Sequence, residues 1–132
     1  NAYRWAVDFP EQFHRLLLIC PAIPKSFVHD NPMSQGPAPW APFAELLVHE
    51  AYKNSSQPDF NPLSPPNDDP IRMPGKVHII SSTSDEFGFY AGGYALAQAL
   101  ARNPQTQVTF ETQAVTHCGP DVTQMVDFLV QR

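Results

Sequence analysis

Glycine is scarce in this chain: six of 132 residues, and none falls where glycine-dependent chemistry requires it. There is no G-x-G-x-x-G and no G-x-x-x-x-G-K-[ST], so a loop cradling a dinucleotide or nucleotide phosphate has no support. Nor is there a G-x-S-x-G, the sharp strand-to-helix turn that presents a nucleophilic serine. Positive charge is sparse too. Eight Lys and Arg against 13 Asp and Glu leave a formal charge of −5. With no basic cluster, that balance argues against nucleic acid or an anionic membrane surface as a partner. No apolar stretch approaches the roughly 18 residues that span a bilayer. The N-terminal residues also lack the basic-then-apolar pattern of a signal peptide.

Cysteine is nearly absent. Cys20 and Cys118 allow one disulfide at most. Each follows a predicted strand, and the two strands lie two positions apart, so roughly 9–10 Å of sheet separates them. A disulfide needs Cα atoms within about 7 Å. Two free thiols are therefore expected unless the loops close that gap, and with them a lean towards a reducing, cytoplasmic setting.

Proline is what the chain has in quantity: fifteen residues, most between Pro21 and Pro74. The length suits one ordinary domain with a real core. Residues 1–9 have the spacing of a helix tail, with Tyr3, Ala6 and Val7 on one side and Pro10 as its stop. The apolar run from Arg15 to Cys20 predicts a strand covered on both faces, as in parallel sheets. Residues 22–75 are rich in Pro, Asn, Ser and Asp. They carry one predicted helix over 41–53, whose apolar face is Phe43, Leu46, Leu47 and Ala51. So long a connection within a domain is usually functional.

From Lys76 the pattern alternates strand, helix, strand, helix. The strands begin near Val77 and Val108, and the helices cover residues 89–101 and 121–131. Tyr90, Tyr94, Leu96 and Leu100 face the core in the first helix; Val122, Met125, Val126 and Leu129 share one side of the second. Gly92 and Gly93 either weaken the first helix or allow close packing. Strand–helix repeats of this length predict an α/β domain over residues 1–132, with parallel strands and right-handed crossovers. Three strands leave the first with an open edge although it has the composition of an interior strand. The sheet is thus expected to continue in a missing N-terminal half or a partner chain.

Two residues carry the chemistry. Asp85 ends the second strand segment and His117 ends the third. If those strands are parallel neighbours, both side chains emerge at the carboxyl-terminal edge, where open α/β sheets place ligands. An imidazole changes charge near neutral pH and can take a proton from a hydroxyl and return it to a leaving group. A carboxylate beside it fixes the tautomer and stabilises the imidazolium. The plainer alternatives are a solvated loop histidine at 117, and an aspartate that caps the next helix beside Glu86. Ser34, Ser55, Ser56 and Ser84 lack flanking glycines and are better explained as turn or capping residues. A dyad of Cys118 with adjacent His117 is disfavoured, because sequence neighbours rarely present side chains to each other. His14, His29, His49 and His78 offer ligand types without metal-site spacing. Neither metal nor organic cofactor is implied.

With these motifs in view, the chain resembles the C-terminal half of an α/β-hydrolase. The segment AYRWAVDFPEQFHRLLLICPA looks like the helix after the nucleophile and the next strand. VHIISSTSDEFGFYAGGYALAQAL resembles the strand and helix carrying the triad acid, and VTFETQAVTHCG the last strand and histidine loop. The order acid then histidine agrees with the family. Many members carry glycine three residues before the acid; here Ser82 stands there. The resemblance implies a serine hydrolase acting on a small-molecule carboxylic ester or related acyl bond. Asp85 would be the acid and His117 the base, with the serine and oxyanion hole upstream of Asn1. It also implies a cap at residues 22–75, where FNPLSP is similar to esterase-type members. Trp40 and Phe43, with Phe27 and Met33, would line an apolar acyl or alcohol pocket, unless they only pack the cap helix. Two rivals stand beside this reading. One is a non-catalytic binding or scaffold domain that keeps the sheet. The other is a flavodoxin-like or response-regulator-like domain, which needs a phosphate loop or acidic cluster after the first strand; PAIPKS supplies neither.

Overall fold

Short β-branched and leucine-rich runs separated by an alanine-rich helix leave few ways to bury apolar surface, and a parallel sheet with helices on its faces is one of them. The computed structural model describes residues 6, 9–22, 39–40, 42–44, 46–47, 50, 75–119 and 121–130. Three strands, β1 (Arg15–Ile19), β2 (Lys76–Ser82) and β3 (Gln107–Gln113), form one sheet in the order β1-β2-β3. Both pairings are parallel. Leu16 lies beside Val77 and Val77 beside Val108; one repeat along, Leu18, Ile79 and Phe110 line up in the same way. The expected α/β class and strand direction are present.

The period of two then assigns the faces. Leu16, Leu18, Val77 and Ile79 form a core with Leu96, Ala97, Ala99 and Leu100 of helix α1 (Tyr90–Leu100). Tyr90 and Tyr94 of α1 meet the Phe110 ring edge-on, at centroid distances of 5.8 and 5.6 Å. Burial, and then the neighbouring Tyr94 phenol, raise the Tyr90 hydroxyl above its ordinary pKa. Gly93 settles its own role. A Cβ there would overlap the Ser81 hydroxyl, so this glycine serves close packing of helix on strand.

Helix α2 (Val122–Val130) lies against β1 on the opposite face. Phe128 meets His78 edge-on at 5.3 Å, and its carbonyl accepts a hydrogen bond of 2.8 Å from Arg15 Nη1. The predicted apolar side of α2 is largely open: Val122, Val126 and Leu129 are 50–70% exposed. The apolar side of the helix predicted over 41–53 is likewise exposed where it is described. Residues 42–44, 46–47 and 50 are helical, yet Phe43, Leu46 and Leu47 are exposed and Ala44 is the buried residue. Of the predicted N-terminal helix tail, helical and fully buried Ala6 is described; Tyr3, Val7, Phe27, Met33 and Ala51 lie outside the described residues. No helix among the described residues is long and apolar enough to cross a membrane.

Candidate functional site

The carboxyl-terminal edge of the sheet is built by two loops laced together. After β2 the chain turns through residues 83–89, and after β3 it runs through residues 114–119. The Thr83 amide donates to the Gln113 carbonyl at 2.9 Å, and the Glu86 amide to the Thr116 carbonyl at 3.0 Å. Between these two bonds sits Ser82, fully buried. Its hydroxyl donates to the Val115 carbonyl and accepts the Val115 amide at 3.2 Å. This serine ties the second loop to the first.

Asp85 is set by its own local turn. Its Oδ1 accepts the Phe87 amide at 2.9 Å, and its carbonyl accepts the Gly88 amide at 3.1 Å. Gly88 adopts φ 75°, in the left-handed region that glycine enters without a Cβ clash. The capping alternative is not what the structure contains: α1 begins at Tyr90, and its cap position, Phe89, makes no side-chain cap bond. The same Oδ1 lies 3.3 Å from His117 Nδ1, with the Asp85 side chain fully buried and the histidine side chain 45% exposed. Asp85 Oδ2 is buried with no hydrogen-bond partner among the described residues.

Aromatic rings complete the wall. Phe87 and Phe89 meet the imidazole edge-on at 5.1 and 6.1 Å and stack on each other at 5.7 Å. The ring is held at Nδ1 and flanked by phenyl groups, and its Nε2 has no hydrogen-bond partner among the described residues. Chemically, such a pair can accept a proton at Nε2 and hold the resulting charge against a buried carboxylate.

The expectation of two free thiols is overturned. Cys20 and Cys118 form a disulfide, with Cα atoms 5.8 Å apart. The strand arithmetic holds for the strands but not for the residue after them. The histidine loop crosses back over the end of β2, bringing Cys118 Sγ to 3.6 Å from the Ile80 carbonyl oxygen. From the other side, the Cys20 amide donates to that same carbonyl at 2.8 Å. Cys20 itself turns at φ 40°, a left-handed conformation uncommon for a residue with a Cβ. The basis for expecting a reducing compartment falls with the free thiols. The disulfide also places Cys20 within a group that sequence spacing did not show: donor atoms of Cys20, Asp85 and His117 lie within 4.8 Å of one another.

The remaining candidates are placed as follows. The Trp40 amide donates to the Glu86 carbonyl at 2.9 Å, so this part of the 22–75 segment touches the turn that holds Asp85. The Trp40 and Phe43 side chains are 54% and 55% exposed. Ser84 lies in the turn, its amide donating to Ser82 Oγ at 3.3 Å. His78 is paired with Glu111 at 3.2 Å. His14 is exposed, while His29, His49, Ser34, Ser55 and Ser56 lie outside the described residues. A cavity of about 740 Å³ touched by His14, Arg15, Lys76 and Leu129 opens at the amino-terminal edge, the far end from Asp85. No protein-family model, curated protein or solved structure matches the chain.

Proposed function

We propose that the chain is the C-terminal part of an α/β-hydrolase that cleaves a carboxylic ester or related acyl bond. The observation that carries this reading is the 3.3 Å approach of Asp85 Oδ1 to His117 Nδ1 at the carboxyl-terminal edge of a parallel sheet. In the proposed reaction, a serine hydroxyl supplied from outside these residues attacks the ester carbonyl. His117 Nε2 takes the hydroxyl proton as the bond to carbon forms, then delivers it to the departing alkoxide oxygen. Water, deprotonated by the same nitrogen, releases the acid and restores the serine. Asp85 holds the Nδ1–H tautomer throughout and faces the charge that forms on the imidazole. The oxyanion hole belongs with the serine. Phe87 and Phe89 supply apolar surface beside the histidine, and residues 22–75, which reach the acid's turn at Trp40, act as the cap.

Hydrolysis of a p-nitrophenyl ester by the full-length protein tests the proposal. Asp85→Asn, which keeps the shape but spoils the tautomer, should lower kcat by about 10⁴-fold, and His117→Gln by at least as much. Undiminished turnover in both variants would reject the hydrolase and favour a binding or scaffold domain of the same architecture.

A further inference from the structure

We propose that, once its disulfide is reduced, the chain holds a zinc ion between Cys20, Cys118, Asp85 and His117. The ligand set is two thiolates, one imidazole and one carboxylate, all donor types that zinc accepts in tetrahedral sites. Three of the four donors already lie within 4.8 Å of one another, and the fourth sulfur is bonded to the first. A zinc tetrahedron built from the usual bond lengths has edges of about 3.3 to 3.8 Å. The imidazole-to-carboxylate separation of 3.3 Å fits that edge as it stands. Among Cys20, Asp85 and His117 the longest separation needs to contract by about 1 Å, and the two sulfurs move apart from bonding distance to about 3.8 Å, given zinc bond lengths.

An independent observation points the same way. Asp85 Oδ2 is buried without a partner among the described residues. A buried carboxylate with one unsatisfied oxygen carries a free-energy cost, which a cation bound by that carboxylate would offset. The backbone is also prepared: the Cys20 amide is tied to the Ile80 carbonyl, and Glu86 to Thr116, so both loops stay in register when the sulfurs separate.

The redox step is balanced. A dithiol reductant donates two electrons and two protons to the Cys20–Cys118 bond, giving two thiols while the reductant becomes a disulfide. Zinc then displaces both thiol protons to solvent and binds the thiolates. The metal occupies the carboxylate and imidazole that would serve catalysis, so the oxidised and reduced chains present different sites. The inference does not depend on ester hydrolysis, since binding is measured with no ester present.

Cobalt(II) is the probe. The full-length protein, reduced with a phosphine that takes up oxygen from water, should bind one Co²⁺ with thiolate charge-transfer absorption and the intense visible bands of tetrahedral geometry. Zn²⁺ should displace it, and the oxidised protein should show neither feature. His117→Gln and Asp85→Asn should each weaken Zn²⁺ binding at least about tenfold, whereas His78→Gln leaves it unchanged. Far-UV circular dichroism of the metal-loaded form should retain helix and strand signals, which separates a folded site from cysteines chelating in an unfolded chain. Absence of charge-transfer absorption, loss of those folded-state signals, or equal affinity in the His117 and Asp85 variants would each overturn the site.

Discussion

The polar side chains at the sheet edge differ in what each one holds. Ser82 has three bonds to a neighbouring loop and to its own turn, through the Val115 carbonyl, the Val115 amide and the Ser84 amide. Removing its hydroxyl leaves those groups without a partner, at a cost of about 1–3 kcal/mol. Ser82→Ala should therefore lower the stability of the protein by that amount. It should also speed hydrogen exchange at the Val115 amide while leaving the Thr83 amide, bonded to the Gln113 carbonyl, nearly as slow as before. Exchange at Val115 that does not change would mean that Ser82 does not anchor the histidine loop. Asp85 and His117 were legible in the sequence because each follows a strand of recognisable length, and parallel pairing then sets both at one edge. Cys20 was not legible as their neighbour. Its approach depends on a loop crossing and on a left-handed turn at a non-glycine residue, and neither leaves a periodic signal.

At the level of elements, hydrophobic period located the strands and helices to within a few residues but did not reveal what covers them. The run from Arg15 to Cys20 has the composition of a strand buried on both sides. In the sheet it is the first strand, with Leu16 and Leu18 buried and Leu17 and Ile19 half-buried. Helix α2 has the right spacing and little cover, because period reports a stripe and not its partner. For α1 the sequence left two roles open for its glycine pair, and packing decides for Gly93. Gly93→Ala should destabilise the protein by about 1–3 kcal/mol, the usual cost of overpacking, although alanine favours a helix by up to about 1 kcal/mol. Ser81 is fully buried and its hydroxyl has no partner among the described residues. Ser81→Ala alone should accordingly leave stability unchanged or raise it, because a buried hydroxyl without a partner costs free energy that its removal relieves. In the double variant the overlap disappears and the helix preference of alanine remains, so its urea midpoint should recover to the wild-type value or above. A double variant as weak as Gly93→Ala would show that the clash lies elsewhere.

Across the whole molecule, the cysteine pair joins the end of the first strand to the loop after the last, across 98 residues of sequence. It therefore links the outer strands of the sheet over the end of the middle one, and it encloses the long proline-rich segment and α1. Closing so long a loop restricts the unfolded chain more than the folded one, worth about 4 to 5 kcal/mol in the chain-entropy treatment. For a domain whose total stability is typically about 5–15 kcal/mol, that is a large share. Phosphine reduction in the presence of a metal chelator should thus lower the urea midpoint substantially with little change in the slope of the folded baseline. The Cys20→Ser/Cys118→Ser protein should match the reduced wild type and be indifferent to phosphine. The unfolding slope should rise on reduction, since an unlinked chain exposes more surface when it unfolds. Identical midpoints for oxidised and reduced protein would mean that the sheet and its helices hold the two ends together unaided, and that the covalent link acts on the site rather than on the fold.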